Sequence, residues 1–218
     1  MLKPLKRKYL ECDFRQVLPF NAFHPNNQVD TLAASRNLMD YLQIHQKTSN
    51  MTKQDISVLG KENAFDLIGK EWMLVTAGTE DKFNTMTASW GGVGILWNKT
   101  VAFLFIRPER YTHDFIEEND RLTLSFYGEE YRKALQLCGT KSGRDTDKVK
   151  ECGFTPLKLE SGAMTFAESR MTLDCRKLFK TEMSEANFID RTIIDKQYGA
   201  HGGWHTVYVV EIESVYTK

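Results

Sequence analysis

The spacing of apolar and polar residues changes character near residue 62. Before it the chain is largely polar: 24-HPNN-27 leads into 29-VDTLAASRNLMDYLQI-44, where Leu32, Leu38, Met39 and Leu42 recur at roughly helical intervals. This predicts an N-terminal extension over residues 1–61 that carries one helix packed on the main body, with a partly disordered arm as the alternative. Beyond it, 63-NAFDLIG-69 reads as a short helix capped by Asn63 and ended by Gly69. An apolar strand, 72-WMLVTAG-78, and a polar turn, 79-TEDKF-83, lead into 84-NTMTASWGGVGILW-97, so that two strands form an antiparallel hairpin. The run 100-TVAFLFI-106 predicts a strand buried on both faces, and 112-THDFIEEN-119 a helix with Thr112 as its N-cap. Clean alternation in 121-RLTLSFYG-128 predicts another strand, and 130-EYRKALQLC-138 a helix closed by Gly139. The stretch 163-AMTFAESRMTLDCRKLF-179 predicts a long strand or a bent pair, and 205-HTVYVVEIESVY-216 the last strand.

Strands with few helices between them, and no repeating strand–helix–strand unit, predict a mainly β, α+β domain over residues 62–218. An antiparallel barrel with peripheral helices fits this order better than a doubly wound sheet. A chain of 218 residues is long enough for a substantial core.

Charge narrows the partners. The 29 basic and 29 acidic residues cancel, so no global field draws in nucleic acid or an anionic membrane. The basic start (Lys3, Lys6, Arg7, Lys8) is followed by no apolar run of signal-peptide length, and nothing approaches the ~20 apolar residues of a bilayer span. The expectation is a soluble cytoplasmic protein. Cys12, Cys138, Cys152 and Cys175 form no CxxC pair, which argues against a zinc site or redox dithiol and for free thiols in a reducing compartment, with a bridge between distant cysteines as the alternative. The sequons at Asn50 and Asn98 read as chance matches.

Candidate chemistry gathers in three segments. Gly91-Gly92-Val93-Gly94 does not match GxGxxG, and no GxxxxGK[ST] loop is present, so these glycines serve strand curvature or close backbone approach to a flat ligand. On the strand before them, Asn84, Thr85, Thr87 and Ser89 offer uncharged donors and acceptors. Parity puts Thr85, Thr87 and Ser89 on one face and Met86, Ala88 and Trp90 on the other, and that polar face is either a ligand ledge or simply solvated. In 107-RPERYTHD-114, Arg107, Arg110 and a helix start converge within a few residues, a combination suited to an anion. For Arg110 a surface ion pair is the simpler reading. The loop 139-GTKSGRDTDK-148 is basic, hydroxylated and glycine-containing, with Lys141, Ser142, Gly143 and Lys148 suited to phosphate, although such loops are commonly only solvated. In 201-HGGWH-205 two glycines make a helical metal pair poor; His205 is the better functional candidate, and His113 reads as a surface or capping residue. No nucleophile–base triad emerges from the spacing, so no catalytic residue and no metal ligand is assigned.

In order, N-x-M-T-A-S-W-G, then R-P-x-R-Y-T, then C-G-x-x-S-G-R-D-x-D-K resemble the flavin reductase-like family with the FMN-binding split barrel, in its flavoredoxin-like branch. The resemblance spans roughly residues 62–216. It implies a six-stranded antiparallel split β-barrel, a homodimer with FMN bound at or near the subunit interface, and either reduction of flavin by NADH or NADPH or transfer of electrons to an acceptor that the sequence does not name. It also implies that Asn84, Thr85, Met86, Thr87, Ala88 and Ser89 line the isoalloxazine and ribityl chain. Arg107, Pro108, Tyr111 and Thr112 would form a second wall; Cys138, Gly139, Ser142, Gly143 and Lys148 would close the site, with Lys or Arg meeting the phosphate. Trp204 stands where many relatives carry an acid shortly before the histidine, which points to Trp204 shaping the flavin's open face. The competing expectations are a non-catalytic flavin-binding carrier and a split barrel for another planar cofactor, such as haem or pyridoxal phosphate.

Overall fold

The computed structural model describes residues 51–199 and 203–218. The helix expected over residues 29–44, Cys12 and His201 lie outside the described residues.

A short strand, β1 (Thr52–Gln54), pairs with the last strand of the chain, so part of the segment expected to belong to the extension joins the sheet. Asn63 caps the helical turn α1 (Ala64–Asp66) by accepting from the Phe65 amide, as its position predicts. Gly69 does not end the helix. The backbone winds on in a wider turn through Leu67–Glu71 and stops at Trp72, whose φ of 67° breaks the helical path. The buried strand β2 (Met73–Gly78) then pairs antiparallel with β3 (Phe83–Ala88), which is the expected hairpin. Ser89 and Trp90 alone separate β3 from β4 (Gly91–Leu96). Trp97 and Asn98, both at positive φ, make the two-residue turn into β5 (Lys99–Ile106). Asn98, met in the sequence only as part of a sequon, is a turn residue.

β5 is not buried on both faces: Val101, Leu104 and Ile106 are buried, whereas Phe103 and Phe105 stay half-buried. Beside Phe103, Gly92 and Gly94 offer no side chain to cover its ring. A Cβ on Gly91 would lie 2.7 Å from the Phe103 carbonyl oxygen, so β4 can sit this close only with glycine there.

Helix α2 (Tyr111–Glu118) starts two residues earlier than an N-cap at Thr112 predicts: Arg110 is the N-cap, without a side-chain cap, and Thr112 is buried inside the first turn. Strand β6 (Arg121–Phe126) follows as expected. Helix α3 (Arg132–Thr140) runs through Gly139 rather than ending at it, and Gly139 lies against Thr87 of β3. Helix α4 (Lys148–Cys152) is capped by the Asp147 side chain and ended by Gly153 at φ 65°. The bent pair resolves into β8 (Met164–Phe166), which pairs with β7 (Pro156–Lys158), and the long β9 (Met171–Glu182). After helix α5 (Thr192–Gln197), β10 (Thr206–Thr217) closes the chain with shifts of register against β9.

All pairings are antiparallel, and the strand path is β3-β2-β6-β9-β10-β5-β4, with β1 attached to β10. Its two ends, β3 and β4, are joined by only two residues, so the sheet must curl until its edges meet. That makes a barrel, with a seam where β3 and β4 lie at opposite ends of the hydrogen-bonded path. Its inside is one apolar core that includes Met86, Leu104, Ile116, Leu124 and Tyr208. A second cluster of Leu74, Tyr127, Leu135, Cys138, Phe154 and Phe166 lies under α3, with Phe154 stacked on Phe166 at 4.9 Å. Each such buried side chain contributes roughly 1.5–3 kcal/mol. The satellite core therefore fixes α3 against the outer face of β3.

Candidate flavin site at the barrel seam

Three adjoining cavities follow β3. The first, about 180 Å³, is lined by Met86, Thr87, Ala88, Ser89, Trp90, Phe105, Arg107, Arg110 and His205. The second, about 170 Å³, shares Met86 and Arg110 with it and adds Glu109, Tyr111, Thr112, Thr140, Lys141, Ser142, Gly143 and Lys148. The third, about 390 Å³, lies beyond Gly143 and Lys148 and is bounded by Phe83, Asn84, Thr85 and residues 144–149.

The strand's polar groups are arranged differently from a row of free hydroxyls. The Thr85 hydroxyl shares a hydrogen bond with Thr76 across the hairpin at 2.9 Å. The Thr87 hydroxyl donates to the Leu135 carbonyl of α3 at 2.5 Å. The polar face is thus neither solvated nor wholly offered to a ligand; it docks the helix. Asn84 is buried and donates to the Thr112 hydroxyl at 2.8 Å, tying β3 to the start of α2. A Cβ on Gly143 would come within 2.0 Å of the Asn84 amide oxygen, so loop 141–147 can lie on the strand only through that glycine.

Lys148 does not reach outward. It is buried, and its ammonium donates to the carbonyls of Thr85 at 2.8 Å and Cys138 at 3.0 Å. Burial pushes its pKa down to about 8. It is a tie between strand and helix. Cys138 and Gly139 likewise contribute backbone to this region: the Gly139 carbonyl accepts from Arg110 at 2.8 Å, while the Cys138 side chain is in the satellite core. Pro108 shapes the turn closed by the Arg110 amide on the Arg107 carbonyl at 3.1 Å. Ser142 accepts from the Arg144 amide, and the Arg144 guanidinium lies 4.4 Å from the Tyr111 ring centre.

Arg110, for which a surface ion pair was the simpler expectation, is instead half-buried between the first two cavities, and burial lowers its pKa. With Lys141 it makes that part of the groove cationic, opposed by Glu109. Arg107 donates to the Gln197 carbonyl at 2.6 Å and lies 5.2 Å over the Tyr198 ring. His205 is buried against Trp90, ring centres 5.3 Å apart, and its Nδ1 shares a 2.9 Å hydrogen bond with the Tyr198 hydroxyl. Burial first, then Arg107, lowers its pKa, with Glu109 acting the other way. Trp204 packs, with its ring tilted, against Phe188 and Tyr198 in an aromatic group beside this histidine. His113 contacts Thr206 at 3.2 Å and does not line these cavities.

Sequence reasoning did not single out Phe105 or Tyr198. Phe105 reads as ordinary strand core, and Tyr198 is seven positions before His205 with no motif around it. Along β3 the cavities run from the apolar side chains of Trp90 and Phe105 to the cationic side chains of Arg110 and Lys141.

Comparisons with known proteins agree with this reading of the fold. No curated protein matches the chain. Among solved structures, flavoredoxin from Methanosarcina acetivorans is 21% identical, with 68% of each chain covered and a TM-score of 0.54. Flavoredoxin of Desulfovibrio vulgaris (Miyazaki F) is 23% identical over 67% of this chain and 69% of that one, also with a TM-score of 0.54. The Streptomyces globisporus C-1027 NADH:FAD oxidoreductase SgcE6 is 15% identical over 68% of this chain and 74% of its own, with a TM-score of 0.51. The barrel is the flavin reductase-like split barrel. A family model described as the flavin reductase like domain matches residues 65–218, well over half of the sequence, and on that ground the chain belongs to the flavin reductase-like family.

Proposed function

We propose that this chain holds FMN along β3 and works as a flavin-dependent oxidoreductase that takes electrons from NADH or NADPH. The observation that carries the reading is the continuity of the groove: apolar walls at Trp90 and Phe105 pass into a cationic section at Arg110 and Lys141. An isoalloxazine ring suits the first part and a ribityl phosphate the second. When bound, the flavin supplies the redox chemistry by accepting a hydride and releasing electrons to an acceptor. The protein's own residues position it. Ser89 and the backbone of residues 86–89 face the ring, Arg110 and Lys141 neutralise the phosphate, and Tyr111, Thr112, Ser142 and Gly143 close that end. Arg107 and His205 stand at the other end, where a donor or acceptor would approach. Asn84, Thr85, Thr87 and Lys148 border the cavities and at the same time fix β3, α2 and α3 to one another.

Purified protein mixed with FMN and passed through gel filtration is expected to retain oxidised-flavin absorbance. A protein that emerges colourless overturns the assignment. Arg110→Ala is expected to weaken FMN binding about tenfold, the loss of one charge-assisted contact. Arg107→Ala is expected to weaken it less, because that guanidinium is shared with Gln197 and Tyr198. NADH or NADPH oxidation with ferricyanide or free flavin as acceptor then separates an enzyme from a flavoredoxin-like carrier: turnover establishes the enzyme, and flavin retention without turnover establishes the carrier.

A further inference from the structure

The cysteines at the ends of α3 and α4 are in contact. Cys138 Sγ and Cys152 Sγ are 3.7 Å apart, and Cys152 Sγ also approaches the Ala134 carbonyl at 3.7 Å. We propose that Cys138 and Cys152 are a reversible disulfide site whose closure clamps the loop of residues 141–147 that borders the groove.

Four features carry this. A disulfide bond is about 2 Å long, so closure requires only a further approach of under about 2 Å between two short helices. The pair brackets the loop: Cys138 precedes it on α3 and Cys152 follows it on α4. The loop is already tied at one point by Lys148, which donates to the Cys138 carbonyl. Finally, the two sulfurs differ in access, Cys152 being half-buried and Cys138 fully buried. The third described cysteine, Cys175, is in the barrel core on β9 and belongs to the other cluster.

The difference in access sets the order of events with a low-molecular-weight disulfide such as glutathione disulfide as oxidant. Cys152 loses its proton to solvent and attacks one sulfur; one glutathione leaves and takes up a proton, giving a mixed disulfide on Cys152. Cys138 then loses its proton and attacks Cys152 Sγ, expelling the second glutathione. Two protein thiols are oxidised, one glutathione disulfide is reduced, and two glutathione thiols result. The second step is the slower one, since burial holds the Cys138 thiol up at about 12, with the nearby Lys148 ammonium pulling it down. With the bridge closed, the loop has fewer open conformations and ligand exchange past Ser142 and Gly143 slows.

The bridge does not depend on the flavin reading, but its effect on ligand exchange does. The full chain is incubated with glutathione disulfide, alkylated under denaturing conditions, digested and mapped by mass spectrometry. The expected product is a Cys138 peptide joined to a Cys152 peptide, two hydrogens lighter than the free pair and separated by dithiothreitol. A Cys152–glutathione adduct with Cys138 still alkylated overturns the site. The rate of FMN loss on dilution, followed by flavin fluorescence, is expected to fall at least threefold in the bridged protein and recover with dithiothreitol. Cys152→Ser is expected to show one rate with or without glutathione disulfide. A mapped bridge with an unchanged rate overturns the clamp. Failure of the reduced protein to bind FMN would count against the flavin assignment while leaving the mapping result intact.

Discussion

Lys148 and His205 show how burial turns single residues into pH-dependent parts. Lys148 keeps a pKa of about 8 against an ordinary lysine value of 10.5. Below the lower value the folded protein holds a buried ammonium that the unfolded chain would hold in water. Between about 8 and 10.5 the folded state has released a proton that the unfolded chain retains, so this residue's contribution to stability rises with pH across that window. Urea unfolding of the wild type and Lys148→Met at several pH values should show the wild type gaining on the variant by about 3 kcal/mol between pH 7 and 10. A flat difference would mean that Lys148 is neutral throughout or well solvated. His205 behaves with the same sign at lower pH. Its folded pKa lies below 6.5, so its contribution falls as acid protonates the unfolded chain first. Titration of the imidazole by NMR should give a value below 6.5, moving up in Arg107→Gln and down in Glu109→Gln.

At the level of elements, the fold turns on close approaches rather than on propensity. Gly91→Ala puts a Cβ 2.7 Å from the Phe103 carbonyl oxygen, and backbone cannot swing aside as a side chain would. Denaturant unfolding is expected to show a loss of about 2 kcal/mol, from parting β4 and β5. Gly92→Ala meets only the Phe103 ring at 3.8 Å, an ordinary contact, and is expected to cost less than Gly91→Ala. Equal losses would show that strand propensity, not the approach, is what these glycines serve. Strand and helix order were legible in the sequence because alternation and caps are local; Asn63 and the β2–β3 hairpin are examples. Gly69 and Gly139 were misleading for a physical reason. Glycine permits a helix to end but does not compel it, and at Gly139 the helix continues to Thr140.

For the whole molecule, the exposed edge of β4 bears on assembly. Ile95 is 71% exposed, Trp97 56% and Phe179 48%, with Trp97 and Phe179 in contact edge to face. Among the described residues β4 is an end of the strand path, and these large apolar side chains make a surface that a second chain would cover. A homodimer through this edge is proposed on that ground. Light scattering should give twice the chain mass for the wild type and the single mass for an Ile95→Glu/Trp97→Glu double variant. A monomeric wild type would discard the dimer, and a dimeric variant would move the interface elsewhere.

The sequence by itself determined the class of the fold, the position of most strands, and three segments that lie together at the seam. Those depend on spacing, turn chemistry and motif order, which are properties of neighbours along the chain. Only the tertiary structure decided which groups face the groove. Thr85, Thr87 and Lys148 border the cavities, yet their hydrogen bonds go to β2, α3 and backbone carbonyls. Arg110, His205 and Phe105 come to the cavity from remote strands and turns. A buried polar group must be satisfied by whatever packs against it, and what packs against it is settled by the closure of the barrel.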